Sequence, residues 1–209
     1  MGGFFYLHYK EVFFLTSMVI CILFVLYYSS SQSCRLLLTK NSNLPTLILV
    51  ILCILLFGFR QIDGDAAMYT RGYMLQESLN VGMGFSSEWF WAWISTMCIK
   101  MHLAAWQWIF LIAVGYVSVT YWACKKFLWE NSFMAMAFYF CSYSFFAYGT
   151  NTLRSGFACA MLLVAFGFWI ENKNKVACLI LLILAFGTHR SCLLAIFAFC
   201  CAVFIIKTP

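Results

Sequence analysis

The sequence is poor in charge. Only 10% of its 209 residues are Asp, Glu, Lys or Arg, against about 25% in a soluble globular domain. Such a chain cannot cover a water-facing surface, and with 65% hydrophobic residues it reads as an integral membrane protein. It has no basic block. Its Lys and Arg residues stand singly or in pairs between apolar runs, so the net charge of +6 does not point to nucleic acid. Among its eleven cysteines there is no Cys-x-x-Cys and no metal-ligand spacing. Neither a metal nor a cofactor is expected. Cys21, Cys53, Cys141, Cys159, Cys178, Cys200 and Cys201 lie inside apolar runs, where a thiol acts as a small apolar filler. No Asn-x-Ser/Thr sequon occurs, so nothing suggests a glycosylated eukaryotic surface protein. The apolar run 12–28 lacks a small-x-small cleavage site and exceeds a usual signal-peptide core, so it reads as an uncleaved first span.

Long apolar runs are what the chain does have. They fall at about 12–29, 44–59, 104–123, 132–149, 153–170, 176–188 and 191–206. They predict an all-α polytopic bundle of about seven spanning helices, forming a single transmembrane domain over 1–209. The runs at 44–59, 176–188 and 191–206 are short for a span. Their helices must extend into flanking polar residues or end in a protein-lined cavity. The Trp-rich stretch "SSEWFWAWISTMCIK" (86–100) reads as an interfacial or re-entrant helix, because Trp favours the membrane boundary.

Loop charge fixes the expected orientation. With the N-terminus outside and 86–100 not spanning, the cytoplasmic loops hold Arg35 and Lys40, Lys125 and Lys126, Lys173 and Lys175, and Lys207. That is the usual positive-inside pattern. The other polar groups then gather on the opposite face: Arg60, Asp63, Asp65, Tyr69, Arg71 and Glu88, then Asn151 and Arg154, then His189 and Arg190. "THRS" (188–191) becomes a tight turn between two short helices, sunk below the headgroups.

Each of these residues has a plain reading as well. "RQIDGDAAMY" (60–69) can be a solvated loop start; its Asp65 and Tyr69 share a face if it is helical. Glu88 can cap the helix it opens. Arg154 and the His189–Arg190 pair can snorkel to the headgroups. Their joint placement on one face is what suggests a site. Arg binds phosphate in fork geometry, and a carboxylate or His can take a proton from a hydroxyl. Phosphate, sugar and lipid occur together in polyprenyl-diphosphate-linked saccharides.

At these residues the sequence resembles the EpsG family. "R-x-x-x-G-D-x-x-x-Y" at Arg60–Tyr69, Glu88 opening the next helix, "N-x-x-R" at Asn151–Arg154 and "H-x-S" at His189–Ser191 carry the likeness, over about 11–206. Members are multi-span proteins of bacterial exopolysaccharide, capsule and O-antigen clusters, similar to Wzy polymerases. Two departures stand out: Ser155 where Gln is common, and Trp89 where Pro is common. Members usually continue past the His motif, so this chain is expected to match the N-terminal part of a longer family domain. The resemblance implies a glycosyltransferase of the bacterial cytoplasmic (inner) membrane. It would join undecaprenyl-diphosphate-linked oligosaccharide repeat units on the outer face, within the lipid bilayer and alongside other polysaccharide-assembly membrane proteins. By this reading Arg154 and Arg190, with Arg60 after them, stabilise the leaving diphosphate, and Asp65 or His189 activates the acceptor hydroxyl. Arg60, Asp63, Tyr69, Glu88, Asn151 and Ser191 bind substrate. A non-catalytic flippase or transport subunit for lipid-linked oligosaccharides is the competing reading. A polysaccharide O-acyltransferase is a third, but it would normally place an acid beside the His, and none is adjacent to His189.

Overall fold

The computed structural model describes residues 43–60, 62, 64–79, 88–128, 132–171 and 174–207, together with Thr16 and Val19 as isolated helical positions. The expected first span, 12–29, otherwise lies outside the described residues, as does Asp63. Among the described residues the chain is entirely helical. The helices are α1 (Asn43–Gly58), α2 (Gly64–Ser78), α3 (Trp89–Lys100), α4 (Ala105–Phe127), α5 (Ser132–Phe140), α6 (Tyr143–Thr150), α7 (Leu153–Ile170), α8 (Lys175–Thr188) and α9 (Cys192–Lys207).

Two of them, α4 and α7, are long and apolar enough to cross a membrane by themselves. At 1.5 Å per residue, 23 residues reach about 34 Å, more than a hydrocarbon core of about 30 Å. Helices α1, α8 and α9 are apolar but shorter. They expose Leu47, Ile51, Ile183, Leu194 and Phe197 outward. Apolar surface on that scale is consistent with a membrane protein.

Local chemistry sets the helix ends. Gln107 reaches back to accept from the Ala104 N–H at 2.8 Å, opening α4. Lys125 and Lys126 lie in its last turn, where they complement the helix dipole. Asn174 caps α8 by accepting from the Ala177 N–H at 2.9 Å. The apolar run 132–149, expected to be one helix, is broken instead. Ser142 Oγ donates to the Tyr139 carbonyl at 2.8 Å and accepts from the Phe145 N–H at 3.1 Å. These local bonds compete with the helical ladder and end α5 two residues before α6 begins.

Packing gives the bundle two distinct ends. Helices α4 and α7 lie side by side and run the same way. Leu153, at the start of α7, packs with Trp108 and Ile109 near the start of α4. Lys126, at the end of α4, pairs with Glu171 at 2.7 Å and sits over the Phe168 ring. The broken α5–α6 segment makes the return between them. Helix α8 runs back along α7, from Lys175 over Trp169 to Ala185 beside Ala158. Lys125, Lys126, Glu171 and Lys175 therefore share one end. The "N-x-x-R" and "THRS" stretches share the other, with α2 and the start of α3.

The core against α1 is aromatic: the Phe57, Tyr116 and Phe145 rings meet edge-on or tilted, with centroids 5.1–6.3 Å apart. Helix α2 docks on α3 and α4 through Tyr73, which stacks on Trp108 at 4.8 Å and donates to the Leu103 carbonyl at 2.7 Å. Burial pushes the Tyr73 hydroxyl up to about 12, which keeps it a donor.

Candidate functional site

Glu88 is the residue immediately before α3. It occupies the N-cap position, yet its side chain makes no cap hydrogen bond. The capping reading is therefore replaced by another. One carboxylate oxygen, Oε2, accepts from Arg154 Nη1. The other, Oε1, lies 2.7 Å from His189 Nδ1. Three segments that are remote in sequence meet on one carboxylate. Arg154 closes the group by donating from Nη2 to the Tyr69 hydroxyl at 2.8 Å, while its guanidinium lies 4.4 Å from the Tyr69 ring centre. Arg154 is thus not a snorkelling side chain. It stands in the first turn of α7, the wrong end for the helix dipole, and Glu88 supplies the compensating charge.

The turn at 188–191 is what presents His189. Thr188 closes α8 by donating from Oγ1 to the Leu184 carbonyl at 2.7 Å. His189 then turns extended (φ −153°, ψ 123°). The Cys192 and Leu193 N–H groups bond back to the His189 and Arg190 carbonyls at 3.2 and 3.0 Å, so α9 starts at once. The expected tight turn is present. Arg190 and Ser191 are exposed on it.

Glycine brings this turn to Glu88. A Cβ on Gly187 would meet Trp89 Cε2 at 2.5 Å, so the last turn of α8 can rest on the Trp89 ring only because Gly187 has no side chain. Sequence reasoning missed Gly187. Its signal was a glycine two residues before the His, in an otherwise bulky helix.

A second junction ties α2 to the start of α7. Asn151 Oδ1 accepts from the Asp65 N–H at 2.8 Å. Gly64, just before it, has φ +53°, and a Cβ there would lie 2.6 Å from the same oxygen. Gly64 thus answers both a left-handed backbone and a close approach, which accounts for the Gly-Asp pair. Asp65 is half-buried in the first turn of α2. Among the described residues its carboxylate does not join the Glu88 group. Arg60 is buried at the end of α1 and donates from Nη1 to the Phe57 carbonyl at 2.6 Å.

The site thus joins Tyr69, Glu88, Arg154 and His189 by direct contact and holds Asp65 to Asn151 beside them. It leaves Arg190 and Ser191 on the adjoining turn. The EpsG family model matches residues 43–208. The chain belongs to the EpsG family. No curated protein and no solved structure gave a significant match. Membership suggests an exopolysaccharide-related, polymerase-like membrane protein, and Tyr69, Glu88, Arg154 and His189 fall inside the matched region. Among the described residues, no group of His, Cys, Asp and Glu is arranged to hold a metal ion. What the site offers is a proton acceptor, a carboxylate that orients it, and two guanidinium groups.

A carboxylate oxygen only accepts, so His189 Nδ1 is the donor in its bond to Glu88. In the neutral imidazole this puts the proton on Nδ1 and leaves Nε2 as the acceptor. The Glu88–Arg154 pair in turn fixes the carboxylate. Two of Arg154's five donors are engaged by Glu88 and Tyr69.

Proposed function

We propose that the protein is a membrane glycan polymerase that joins undecaprenyl-diphosphate-linked oligosaccharide repeat units on the outer face of the bacterial cytoplasmic membrane. The observation that supports this most is one carboxylate, Glu88, holding both His189 and Arg154 at the end of the bundle opposite Lys125, Lys126 and Lys175. His189 Nε2 accepts the proton of the acceptor hydroxyl. The hydroxyl oxygen attacks the anomeric carbon of the donor sugar. The bond from that carbon to the phosphate oxygen breaks, and undecaprenyl diphosphate leaves with the electron pair. Arg190, exposed beside His189, supplies charge-assisted hydrogen bonds to the leaving diphosphate. Arg154, offered by sequence reasoning as a diphosphate ligand, is better used as a positioning residue for Glu88. Asp65 stands at the start of α2 as the alternative base. In this proposal α1, α5–α6, α8 and α9 also cross the bilayer with the run at 12–29, the N-terminus lies outside, and the lysine end faces the cytoplasm.

The test is the fate of the lipid-linked repeat unit in cells carrying His189→Ala at the native locus. The expected result is loss of polymer, with single repeat units accumulating in the outer leaflet while the variant remains in the membrane. Accumulation in the inner leaflet would instead identify a flippase and overturn the polymerase reading.

A further inference from the structure

A recess lies on the neighbouring face of the helix that carries Tyr69. It is a groove of about 630 Å³ between α2 and the start of α4, within the usual size range of ligand sites. Thr70, Arg71, Met74 and Glu77 line one wall, at helical spacing, and Trp106 with its neighbours Ala104 and Ala105 lines the other. From Ala67 to Glu77 the α2 wall runs about 15 Å, which suits a short oligosaccharide. Trp106 is 55% exposed, although it stands one residue into α4 and two residues from the fully buried Trp108. Arg71 is exposed and Glu77 half-buried. Among the described residues, neither is held in an ion pair. Helix α2 is too polar to cross a membrane, so this wall belongs to an aqueous boundary.

We propose that this groove is an oligosaccharide-binding subsite, in which the Trp106 ring carries the apolar face of a sugar while Arg71 and Glu77 hydrogen-bond its hydroxyls. The inference rests on the polymerase reading and names where the glycan lies when its lipid-linked end is at His189. The chemistry is specific to sugars. A pyranose has one face of C–H groups, whose positive hydrogens suit the negative face of an indole. It is ringed by hydroxyls that both donate and accept, and these match a guanidinium and a carboxylate placed on one wall. A lipid tail would use the Met74 and Trp106 surfaces but leave both charges unused. The groove shares α2 with Asp65 and Tyr69, so a glycan in it is tethered to the reacting end by a single rigid element.

The experiment measures binding rather than polymerisation. The full chain, purified in detergent, is titrated with oligosaccharides released by mild acid from the polymer of the cell that makes it, following tryptophan fluorescence and calorimetry. The expected result is saturable binding, weakened about tenfold or more by Trp106→Ala and by Arg71→Met. Trp106→Phe should keep most of it, and Lys175→Ala, at the far end of the bundle, should leave it unchanged. Trp106→Phe also guards against misfolding, because it keeps an aromatic ring at the start of α4. Wild-type protein that binds no oligosaccharide, or binding that neither Trp106→Ala nor Arg71→Met weakens, would overturn the subsite. Binding through the groove in a protein whose His189→Ala variant still makes polymer would leave the subsite standing and remove the assignment of His189.

Discussion

Replacing Glu88 with Gln keeps the shape of the side chain and one acceptor but removes the charge that Arg154 and His189 share. Hydrogen bonds to charged groups contribute about 1.5–3 kcal/mol each. The Glu88, Arg154 and His189 side chains retain 13%, 29% and 25% of their exposure, so solvent screens part of that. The single change should therefore lower stability by about 1–2 kcal/mol. Arg154→Met leaves the half-buried Glu88 carboxylate without its guanidinium partner, and should cost about 2–3 kcal/mol. With both changes the stranded charge is gone. The double variant should be better than the sum of the singles by about 1 kcal/mol or more. The assay is unfolding of the four proteins in detergent, followed by tryptophan fluorescence. Polymer formation at equal membrane abundance should fall by about 10²-fold or more in Glu88→Gln, because His189 loses the group that orients it. Additivity within about 0.5 kcal/mol, or normal polymer from Glu88→Gln, would refute the shared-carboxylate reasoning.

Gly187→Ala should destabilise the protein by about 1–3 kcal/mol, because the new Cβ meets Trp89 at 2.5 Å; Trp89→Leu in the same chain should restore part of the loss on thermal unfolding. Gly64→Ala combines φ +53° with a 2.6 Å approach to Asn151 and should cost about 1–2 kcal/mol; adding Asn151→Ala relieves only the contact, so the melting temperature should recover only in part. Cysteine placed at Lys126 on a Cys-depleted background should react with impermeant reagent only from the cytoplasmic side, and labelling from outside intact cells would reverse the orientation.

The helices were largely legible because apolar runs mark them directly. The run 153–170 coincides with α7, and those at 176–188 and 191–206 fall within a residue of α8 and α9. The break at Ser142 was not legible, because a hydroxyl inside an apolar run becomes a helix stop only when its local bonds form. "RQIDGDAAMY" left loop and helix open, since α2 is polar on most sides and its docking depends on Tyr73 and Trp108 meeting from different segments. The site residues were named one by one, but their connections were not. Nothing in the spacing of Glu88, Arg154 and His189 says that one carboxylate serves both partners. Glu88 looked like a cap because the N-cap position suits an acid, and only tertiary contact shows the side chain turned toward Arg154 and His189.

The most direct test of the account is polymer extension in isolated membranes supplied with radiolabelled undecaprenyl-diphosphate-linked repeat units. Membranes holding the wild-type protein should convert them to a ladder of longer lipid-linked chains. Membranes holding equal amounts of His189→Ala protein should leave them as single units, about 10²–10⁴-fold slower to extend. A ladder from His189→Ala equal to that of the wild type would contradict the claim that the Glu88–His189 pair carries out glycan joining.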